Sequence, residues 1–276
     1  MDSTSKLVSV VVQAYNSADT IERTLDSVCA QTYSNIELII TDDLSKDNTL
    51  EVAADWIKQH KGALTKIKLV TTDVNTGISG SNNRALKQVT GKYAIFLAAD
   101  DYMTPDAIQE YFDFCEKNTG VIPIAKVVLF SEENCDFSSV QEYCNGCYAF
   151  AQLDQKAQYR KLLVQNRIVS PAASFYPVKL LRKLKGFDEA YRWMEDYPIN
   201  LRILKRGYRF GFLDKQLIYY RISAGSITSA NQIPLKKTEA KLFFRQKFWY
   251  MVGAGMGWEA IKQSKSWIKV LFLRGK

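Results

Sequence analysis

Residues 1–130 alternate between two hydrophobic patterns. Short apolar runs rich in Val, Ile and Leu predict strands at 7–13, 36–41, 66–72 and 92–98. Between and after these runs, apolar residues recur at helical spacing over 19–31, 47–60, 79–89 and 104–118. Near-continuous apolar strands that alternate with helices are typical of a parallel sheet covered on both faces.

The last of these helices begins in "TPDAIQEYFDFCEKN", where we expect Thr104 to be the N-cap and Pro105 the first helical residue. The apolar run "VIPIAKVVLF" at 121–130 is expected to return to the same sheet. Together these elements predict an α/β fold with a mostly parallel sheet flanked by helices.

The pattern is weaker from 131 to 185, where a basic helix near 152–165 is the clearest element. A second clear helix carries Pro198 near its first turn and is stopped by a glycine. The chain shows no internal repeat and no low-complexity linker. One α/β domain over 1–230 with a helical tail over 231–276 is the simplest organisation.

The composition is that of an ordinary globular protein, with 47% hydrophobic and 24% charged residues. No apolar run approaches the ~20 residues of a membrane-spanning helix. The first residues, "MDSTSKLVSV", lack a secretory pattern. We therefore expect a cytoplasmic location.

The net charge of +8 lies entirely in residues 236–276, which hold ten Lys/Arg and two Asp/Glu. Aromatic residues interrupt the charges, so this tail is amphipathic rather than a solvated charge run. They include Phe243, Phe244, Phe248, Trp249, Trp258 and Trp267. The tail either lies on an anionic membrane surface or packs its aromatic side chains on the domain.

We favour the membrane interpretation, in which each basic residue near the headgroups contributes on the order of 1 kcal/mol. It predicts a peripheral location on the inner face of the cell membrane. A nucleic-acid partner is not expected, because residues 1–235 are neutral overall and carry no nucleic-acid-binding motif.

Polar segments follow each of the first four predicted strands: "QAYNSADT", "DDLSKDNT", "DVNTGISGSNN" and "ADD". Ligands of open α/β sheets bind outside the carboxyl ends of the strands. These segments are therefore expected to line one cleft, although each taken singly has the composition of an ordinary turn.

The cleft carries acids rather than a phosphate-binding glycine loop, since neither G-x-G-x-x-G after the first strand nor G-x-x-x-x-G-K-[ST] occurs. Mg²⁺ and Mn²⁺ bind one or two carboxylates and take their remaining ligands from phosphates and water. Asp100 and Asp101 suit that role. The alternative is that both acids only favour the start of the next helix.

The chain resembles family 2 glycosyltransferases of the GT-A fold. The resemblance is carried by "VSVVVQAYNSADTIERTLDSVCAQTYSNIELIITDDLSKDNT", by "NTGISGSNNRALKQVTGKYAIFLAADD" and by "GFDEAYRWMEDYPINLRILKRGYRFGFLDKQLIYYRISAGSIT", and it runs from Leu7 to Thr228. It implies a nucleotide-diphospho-sugar donor, Mn²⁺ or Mg²⁺, and inversion at the anomeric carbon. The nucleotide-sugar half would span about 1–130 and the acceptor half about 131–230.

The resemblance assigns several residues to the nucleotide. Ala14 and Tyr15 would border the uracil, Asp42 would hydrogen-bond the base, and Asp43 matches the second acid of the same motif. The segment that approaches the nucleotide contains Asn75, Gly77 and Asn82. Relatives often carry arginine at the position of Asn82.

Residues 98–101, "AADD", match the family's D-x-D-D, in which the first acid meets the ribose and the third position meets the metal. The first acid is replaced by Ala98, whereas the metal position is kept as Asp100, with Asp101 beside it. The resemblance therefore implies that the ribose contact is lost and that metal binding is retained.

An attacking acceptor hydroxyl must lose its proton, and a carboxylate at a helix start can accept it. By resemblance Asp196 in "WMED" is this base, with Glu195 as an acceptor contact or an orienting group. Both acids could instead merely favour the helix start. By resemblance Arg221 in "YYR" would stabilise the diphosphate leaving group; alternatively, "YYR" is a plain edge strand with an exposed arginine. Many relatives have a histidine two residues after this arginine, where this chain has Ser223.

The sequence therefore predicts an inverting, metal-dependent hexosyltransferase that uses a UDP-sugar. We expect the sugar to be glucose, galactose or an N-acetylated relative. The expected acceptor is a glycan on a polyprenyl diphosphate carrier, in bacterial O-antigen or capsule synthesis. The alternatives are a nucleotidyltransferase and a nucleotide-sugar-binding module that has lost catalysis. The pattern indicates no oligomeric state.

Overall fold

The computed structural model describes residues 6–132, 136–166, 174–222 and 233–272. The strands of this part are β1 (Val8–Ala14), β2 (Ile36–Asp42), β3 (Lys66–Val70), β4 (Tyr93–Ala98), β5 (Tyr102–Met103), β6 (Val121–Phe130), β7 (Tyr176–Pro177) and β8 (Arg209–Arg221). The helices are α1 (Ile21–Cys29), α2 (Thr49–Gln59), α3 (Gly77–Leu86), α4 (Ala107–Lys117), α5 (Ser138–Ala151), α6 (Gln155–Val164), α7 (Val178–Lys183), α8 (Asp196–Lys205), α9 (Ile233–Leu242), α10 (Phe248–Gly253) and α11 (Gly257–Leu271).

The main sheet has the strand order β3-β2-β1-β4-β7. Its first four strands are parallel, and only β7 runs antiparallel, against β4. Strands β1, β2 and β4 are buried almost throughout, which explains why their sequences are continuously apolar rather than alternating. Helices α1, α2 and α3 connect these strands and pack on them. This part of the fold agrees with the sequence prediction.

The prediction that 121–130 returns to the main sheet is wrong. This segment forms β6, which pairs in parallel with β8 in a separate sheet of order β5-β8-β6. The edge of β4 is instead occupied by β7, and helices α4 and α5 cover the second sheet. A strand's own apolarity does not specify its partner, because partner choice depends on the distant residues of β7 and β8.

Two local predictions also need correction. Helix α4 begins at Ala107 after Asp106, so Pro105 precedes the helix instead of being its first residue. Thr104 hydrogen-bonds the Asp106 carboxylate at 2.7 Å instead of capping the helix with its side chain. Helix α5 was missed, because Asn145 and Gly146 in its middle are weak helix formers, although Cys144, Cys147 and Ala151 lie buried on one face. The basic helix near 152–165 is confirmed as α6, and Pro198 lies in the first turn of α8 as expected.

The tail forms helices, as predicted. A π-helical turn over Phe243–Lys247 joins α9 to α10, and α11 follows. Phe243 is fully buried and agrees with packing of the tail on the domain. Trp249 and Trp258 are 65% and 76% exposed and agree with a membrane contact. None of the helices in the described ranges combines the length and apolarity that a membrane span requires.

A buried carboxylate joins the amino-terminal ends of the central strands. Glu37 on β2 accepts hydrogen bonds from the Ser9 hydroxyl at 2.5 Å, from the Thr90 amide and hydroxyl, and from the Gly91 amide at 3.0 Å. Burial alone would raise the pKa of Glu37, but these hydrogen bonds together lower it. Position 91 must be glycine, since a Cβ there would lie 2.5 Å from Ser9 Oγ and 2.8 Å from the Leu7 carbonyl.

We expect Glu37→Gln to lower the free energy of unfolding by about 1–3 kcal/mol at neutral pH, because buried donors would lose a charged acceptor. The folded-state pKa is depressed, so the stabilisation exists above the ordinary value of 4.5 and is lost as pH falls through the folded-state pKa. Urea unfolding of the two proteins across this pH range measures the effect. Glu51→Gln, at an exposed position of α2, is the control. An equal effect of both substitutions would contradict the prediction.

Candidate active site

The parallel register brings the predicted cleft residues together at one edge of the sheet. Ala14 at the end of β1 pairs with Asp42 at the end of β2, and Gln13 pairs with Ala98 at the end of β4. Adjacent strands lie about 4.8 Å apart, so these three strand ends form one continuous row. The two halves of the predicted nucleotide site, "QAY" and "AADD", are therefore neighbours.

Asp42 and Tyr15 flank this row in different environments. Asp42 is buried, and its carboxylate accepts hydrogen bonds from the Ser45 hydroxyl at 2.5 Å and the Ser45 amide at 3.0 Å. Each carboxylate oxygen keeps a further lone pair for another donor. The ring of Tyr15 is 42% exposed and offers an apolar surface for stacking. The pair can present one hydrogen-bond acceptor and one flat face to a planar ligand.

Asp43 holds the loop that follows β3. Its carboxylate accepts the amide and hydroxyl of Thr76 at 3.0 and 2.7 Å, the Gly77 amide at 2.6 Å and the Arg84 guanidinium at 3.0 Å. Burial raises the pKa of Asp43, but these bonds outweigh it and lower the pKa. The resemblance had implied a nucleotide contact, whereas this geometry gives Asp43 the task of fixing a loop. The sequence patterns did not indicate the role of Arg84, which could be suspected only from its position on the helix after that loop.

The same loop is docked against the segment that precedes Glu195. Gly77 has φ +73°, and a Cβ on it would lie 2.2 Å from Arg192 Cγ, so only glycine fits. Arg192 donates hydrogen bonds to the backbone carbonyl and the side-chain oxygen of Asn75. The Ser79 hydroxyl donates to the Tyr191 carbonyl at 2.9 Å. The predicted nucleotide and acceptor halves therefore meet here, through contacts that sequence patterns do not show.

Asn82 is fully buried on α3, and neither atom of its amide group has a hydrogen-bond partner among the described residues. Buried amides without a partner are rare in folded proteins and usually indicate a bound water or ligand. The position that the resemblance assigns to the nucleotide therefore has unused hydrogen-bonding capacity.

Asp100 and Asp101 lie directly after β4. Asp101 is 1% exposed, its Oδ1 accepts the Arg221 amide at 2.9 Å, and its Oδ2 has no partner in the described part of the chain. Burial raises the pKa of both acids, and the charge of Asp100 raises the pKa of Asp101 further. Such a pair favours a nearby cation, because two buried carboxylates repel each other and are poorly solvated.

The residues fit a divalent cation that shares its coordination with phosphate oxygens. Among the described residues no group of three or more His, Cys, Asp or Glu side chains could enclose a metal by itself. The unpartnered Oδ2 of Asp101 and the carboxylate of Asp100 are hard oxygen donors of the type that Mg²⁺ and Mn²⁺ prefer.

Arg221, the last residue of β8, is brought to the acid pair by the pairing of Tyr219 with Tyr102. Its guanidinium donates to Glu132 at 3.0 Å, while its charge lowers the pKa of Asp100. Strand β8 lies between β5 and β6 rather than at a sheet edge, and the contact of Arg221 with the leaving group stays a prediction. Ser223 lies outside the described residues.

Glu195 and Asp196 lie at the start of α8. Asp196 accepts hydrogen bonds from the Tyr197 amide at 2.7 Å and from the Asn166 side chain at 3.3 Å. Burial and the neighbouring charge of Asp196 raise the pKa of Glu195 to about 8. Burial also raises the pKa of Asp196, although its two hydrogen bonds oppose this. The high pKa of Glu195 favours its protonated form, while the two hydrogen bonds to Asp196 favour the ionised form of that residue. Asn166 gave no signal in the sequence.

A buried lysine of the tail approaches the same helix start. Lys247, in the π-helical turn, is 2% exposed, its Nζ donates to the Val164 carbonyl at 3.3 Å, and it lies 4.9 Å from the centre of the Tyr197 ring. Burial lowers the pKa of Lys247 to about 8, opposed by the charge of Glu239. The first part of the tail is thus packed against Tyr197, the residue after the candidate base.

Comparison with known proteins identifies the family. Residues 9–185 match the model of glycosyl transferase family 2. The chain is 29% identical over 237 residues to the UDP-Glc:alpha-D-GlcNAc-diphosphoundecaprenol beta-1,3-glucosyltransferase WfaP of Escherichia coli, covering 82% of this chain and 81% of that protein. It is 27% identical over 230 residues to the amylovoran biosynthesis glycosyltransferase AmsB of Erwinia amylovora, covering 78% of this chain and 69% of AmsB.

Two solved structures share the fold. S. aureus TarS 1–349 in complex with UDP-GlcNAc matches with a TM-score of 0.63 at 20% identity, over 86% of this chain and 66% of the TarS chain. The mannosyltransferase PcManGT of Pyrobaculum calidifontis, in complex with GDP-Man and Mn²⁺, matches with a TM-score of 0.64 at 18% identity, over 100% of this chain and 78% of PcManGT. These likenesses confirm the predicted fold class, and with the family model they show that the chain belongs to glycosyl transferase family 2 and is a glycosyltransferase.

Proposed function

We propose that this protein is an inverting, metal-dependent glycosyltransferase that transfers a hexose from a UDP-sugar to a glycan on a polyprenyl diphosphate carrier. The hexose would be glucose, galactose or an N-acetylated relative, and the product an O-antigen or capsule precursor. The observation that carries the proposal is the acid pair Glu195–Asp196 at the start of α8, in a segment that Arg192 joins to the loop after β3, together with the acid pair Asp100–Asp101 after β4. The names of WfaP and AmsB support the acceptor and pathway class.

On the donor side, Tyr15 would stack on the uracil and Asp42 would accept a hydrogen bond from it. Ala98 cannot hydrogen-bond the ribose, so Asn82 and the loop held by Asp43 would carry more of the nucleotide binding. Asp100 and Asp101 would hold the divalent ion, which when bound would offset the charge of the diphosphate leaving group. Arg221 would add a second positive charge beside them.

On the acceptor side, Asp196 would take the proton of the attacking hydroxyl as its oxygen bonds to the anomeric carbon. The bond from that carbon to the diphosphate breaks in the same displacement, and UDP leaves with the electron pair. Asn166 and the Tyr197 amide would orient Asp196 and keep it ionised. Glu195, which retains its proton, would donate to the acceptor or to Asp196.

The tail would hold the enzyme against an anionic membrane on its inner face. Trp258, Ile261, Ile268 and Phe272 are exposed and fall on one face of α11 and its C-terminal cap. The same face carries Lys262, Lys265 and Lys269. Apolar side chains flanked by lysines suit a headgroup layer, whereas the opposite face, with the buried Ala260, packs on the protein.

We expect Asp196→Asn to lower kcat about 10²–10⁴-fold with little change in the KM for UDP-sugar, because the acceptor hydroxyl loses its base. Glu195→Gln mimics the protonated acid and is expected to retain most of the activity. Wild-type activity should fall as pH drops through the raised pKa of Asp196. UDP release from UDP-sugars in the presence of a lipid-diphosphate sugar acceptor measures this. Full transfer activity of Asp196→Asn would contradict the assignment, and no UDP release from any donor would contradict the proposed enzyme.

We expect Asp100→Ala to abolish most of the gain in UDP affinity that Mn²⁺ provides, a loss of about tenfold or more. Calorimetric titration of UDP with and without Mn²⁺ measures it. Asp73→Ala, at an exposed position of the loop after β3, is the matched control and should retain the gain. Equal UDP affinity of the wild type with and without Mn²⁺ and Mg²⁺ would count against the metal.

We expect Trp258→Ala to weaken binding to vesicles of phosphatidylcholine and phosphatidylglycerol roughly tenfold, since one aromatic side chain would no longer be buried in the lipid. Binding should also weaken with added salt. Leu50→Ala removes an exposed apolar side chain from α2 and serves as the control. If wild type does not sediment with the vesicles at low salt, the membrane contact of the tail is wrong.

A further inference from the structure

A pocket of about 430 Å³ lies where α7, α8 and α10 meet. It is lined by five cationic side chains, which define what we call the basic pocket: Lys183, Lys185, Arg202, Lys205 and Arg206. Tyr250 of α10 forms part of the wall, and Lys205 Nζ lies 3.7 Å from the centre of its ring. Three segments that are distant in the sequence thus contribute to one positively charged concavity.

The five cations of the basic pocket outnumber the nearby acids, since only the charge of Asp188, outside the lining, acts on Arg202 among the described residues. No Asp or Glu lines the pocket, and none of its five cations forms an ion pair in the described part of the chain. Arg202 donates instead to the carbonyls of Leu184 and Gly186, both at 2.7 Å. Like charges gathered in a concavity repel each other and attract a counter-ion.

Stabilisation of helix ends accounts for only part of this cluster. Cations favour helix C-termini, and α7 ends at Lys183 and α8 at Lys205. However, Arg202 by itself already donates hydrogen bonds to the Leu184 and Gly186 carbonyls, which follow α7. The remaining four cations are exposed around the opening, where they can contact an anion from outside.

The surroundings of the pocket point to an amphiphilic ligand. Trp249, the residue before Tyr250 in α10, is 65% exposed. A phosphate with an attached acyl chain matches cations beside an exposed apolar side chain, whereas a free phosphate matches only the cations. The pocket also lies at the C-terminal end of α8, about 14 Å along the helix from Asp196. It is therefore separate from the position of the reacting diphosphate.

We propose that the basic pocket binds the phosphate headgroup of an anionic membrane lipid, while Trp249 contacts its acyl region. This inference rests on the proposed membrane contact of the tail and adds a second contact, whose five cations come from the catalytic domain. Two contacts on different elements would set the orientation of the domain on the bilayer as well as its affinity. The sequence did not indicate this site, because residues 1–235 are neutral overall and the five cations come together only when the chain folds.

The test compares Lys183→Gln/Arg206→Gln with the control Lys61→Gln/Lys117→Gln, which neutralises two exposed lysines outside the pocket. Co-sedimentation with phosphatidylcholine–phosphatidylglycerol vesicles is expected to weaken about tenfold or more for the pocket variant and little for the control. Both variants should retain the wild-type thermal unfolding midpoint, since all four positions are exposed. Titration with inorganic phosphate alone should neither saturate a site nor displace the vesicles.

The possible outcomes are distinguishable. If wild type does not bind the vesicles, the membrane contact of the tail is wrong and this inference falls with it. If wild type binds and Trp258→Ala weakens binding, but the pocket variant equals the control, the tail contact stands and the basic pocket only stabilises helix ends. If inorganic phosphate saturates a site that the pocket variant lacks and displaces the vesicles, the ligand is a free phosphate rather than a lipid.

Discussion

Four protein donors converge on the buried carboxylate of Asp43, and the arrangement of the rest of the site depends on that interaction. The carboxylate fixes the turn at Thr76–Gly77, and that turn presents Gly77 to Arg192 without a side chain between them. Arg192 lies three residues before Glu195, so the loop after β3 and the start of α8 are held together. One anchored loop thereby sets the distance between the proposed donor and acceptor sides.

Burial raises the pKa of two acid pairs, one at the start of α8 on the proposed acceptor side and one after β4 on the proposed donor side. At the start of α8, burial raises the pKa of both acids, and two hydrogen bonds to Asp196 oppose the rise in its pKa. At the sheet edge, Arg221 is the cation that acts on Asp100 among the described residues, and its amide bonds Asp101. The two acid pairs thus differ in the donors they receive. This difference is consistent with the proposed roles, a proton acceptor at the start of α8 and a metal site after β4.

Much of the fold followed from the sequence, because the features concerned are local. Periodicity located β1, β2, β3 and β4 and the helices between them, and the carboxyl-edge rule placed Ala14, Asp42 and Ala98 in one row. The main failure involved competition between distant segments, since the partner of β6 was decided by β7 and β8. Two failures were local: the N-cap position of α4 is taken by Asp106 rather than Thr104, and weak helix formers in the middle of α5 concealed that helix.

The sequence by itself determined the family, the α/β class and the chemical types present at each strand end, since these are properties of residue order and spacing. Only the tertiary structure decided that Asp43 anchors a loop, that Asn166 and Lys247 approach the start of α8, and that five cations surround one pocket. Each of these facts joins residues far apart in the chain. Hydrogen bonds, burial and charge repulsion act over a few ångströms, so their partners are defined only once the chain has folded.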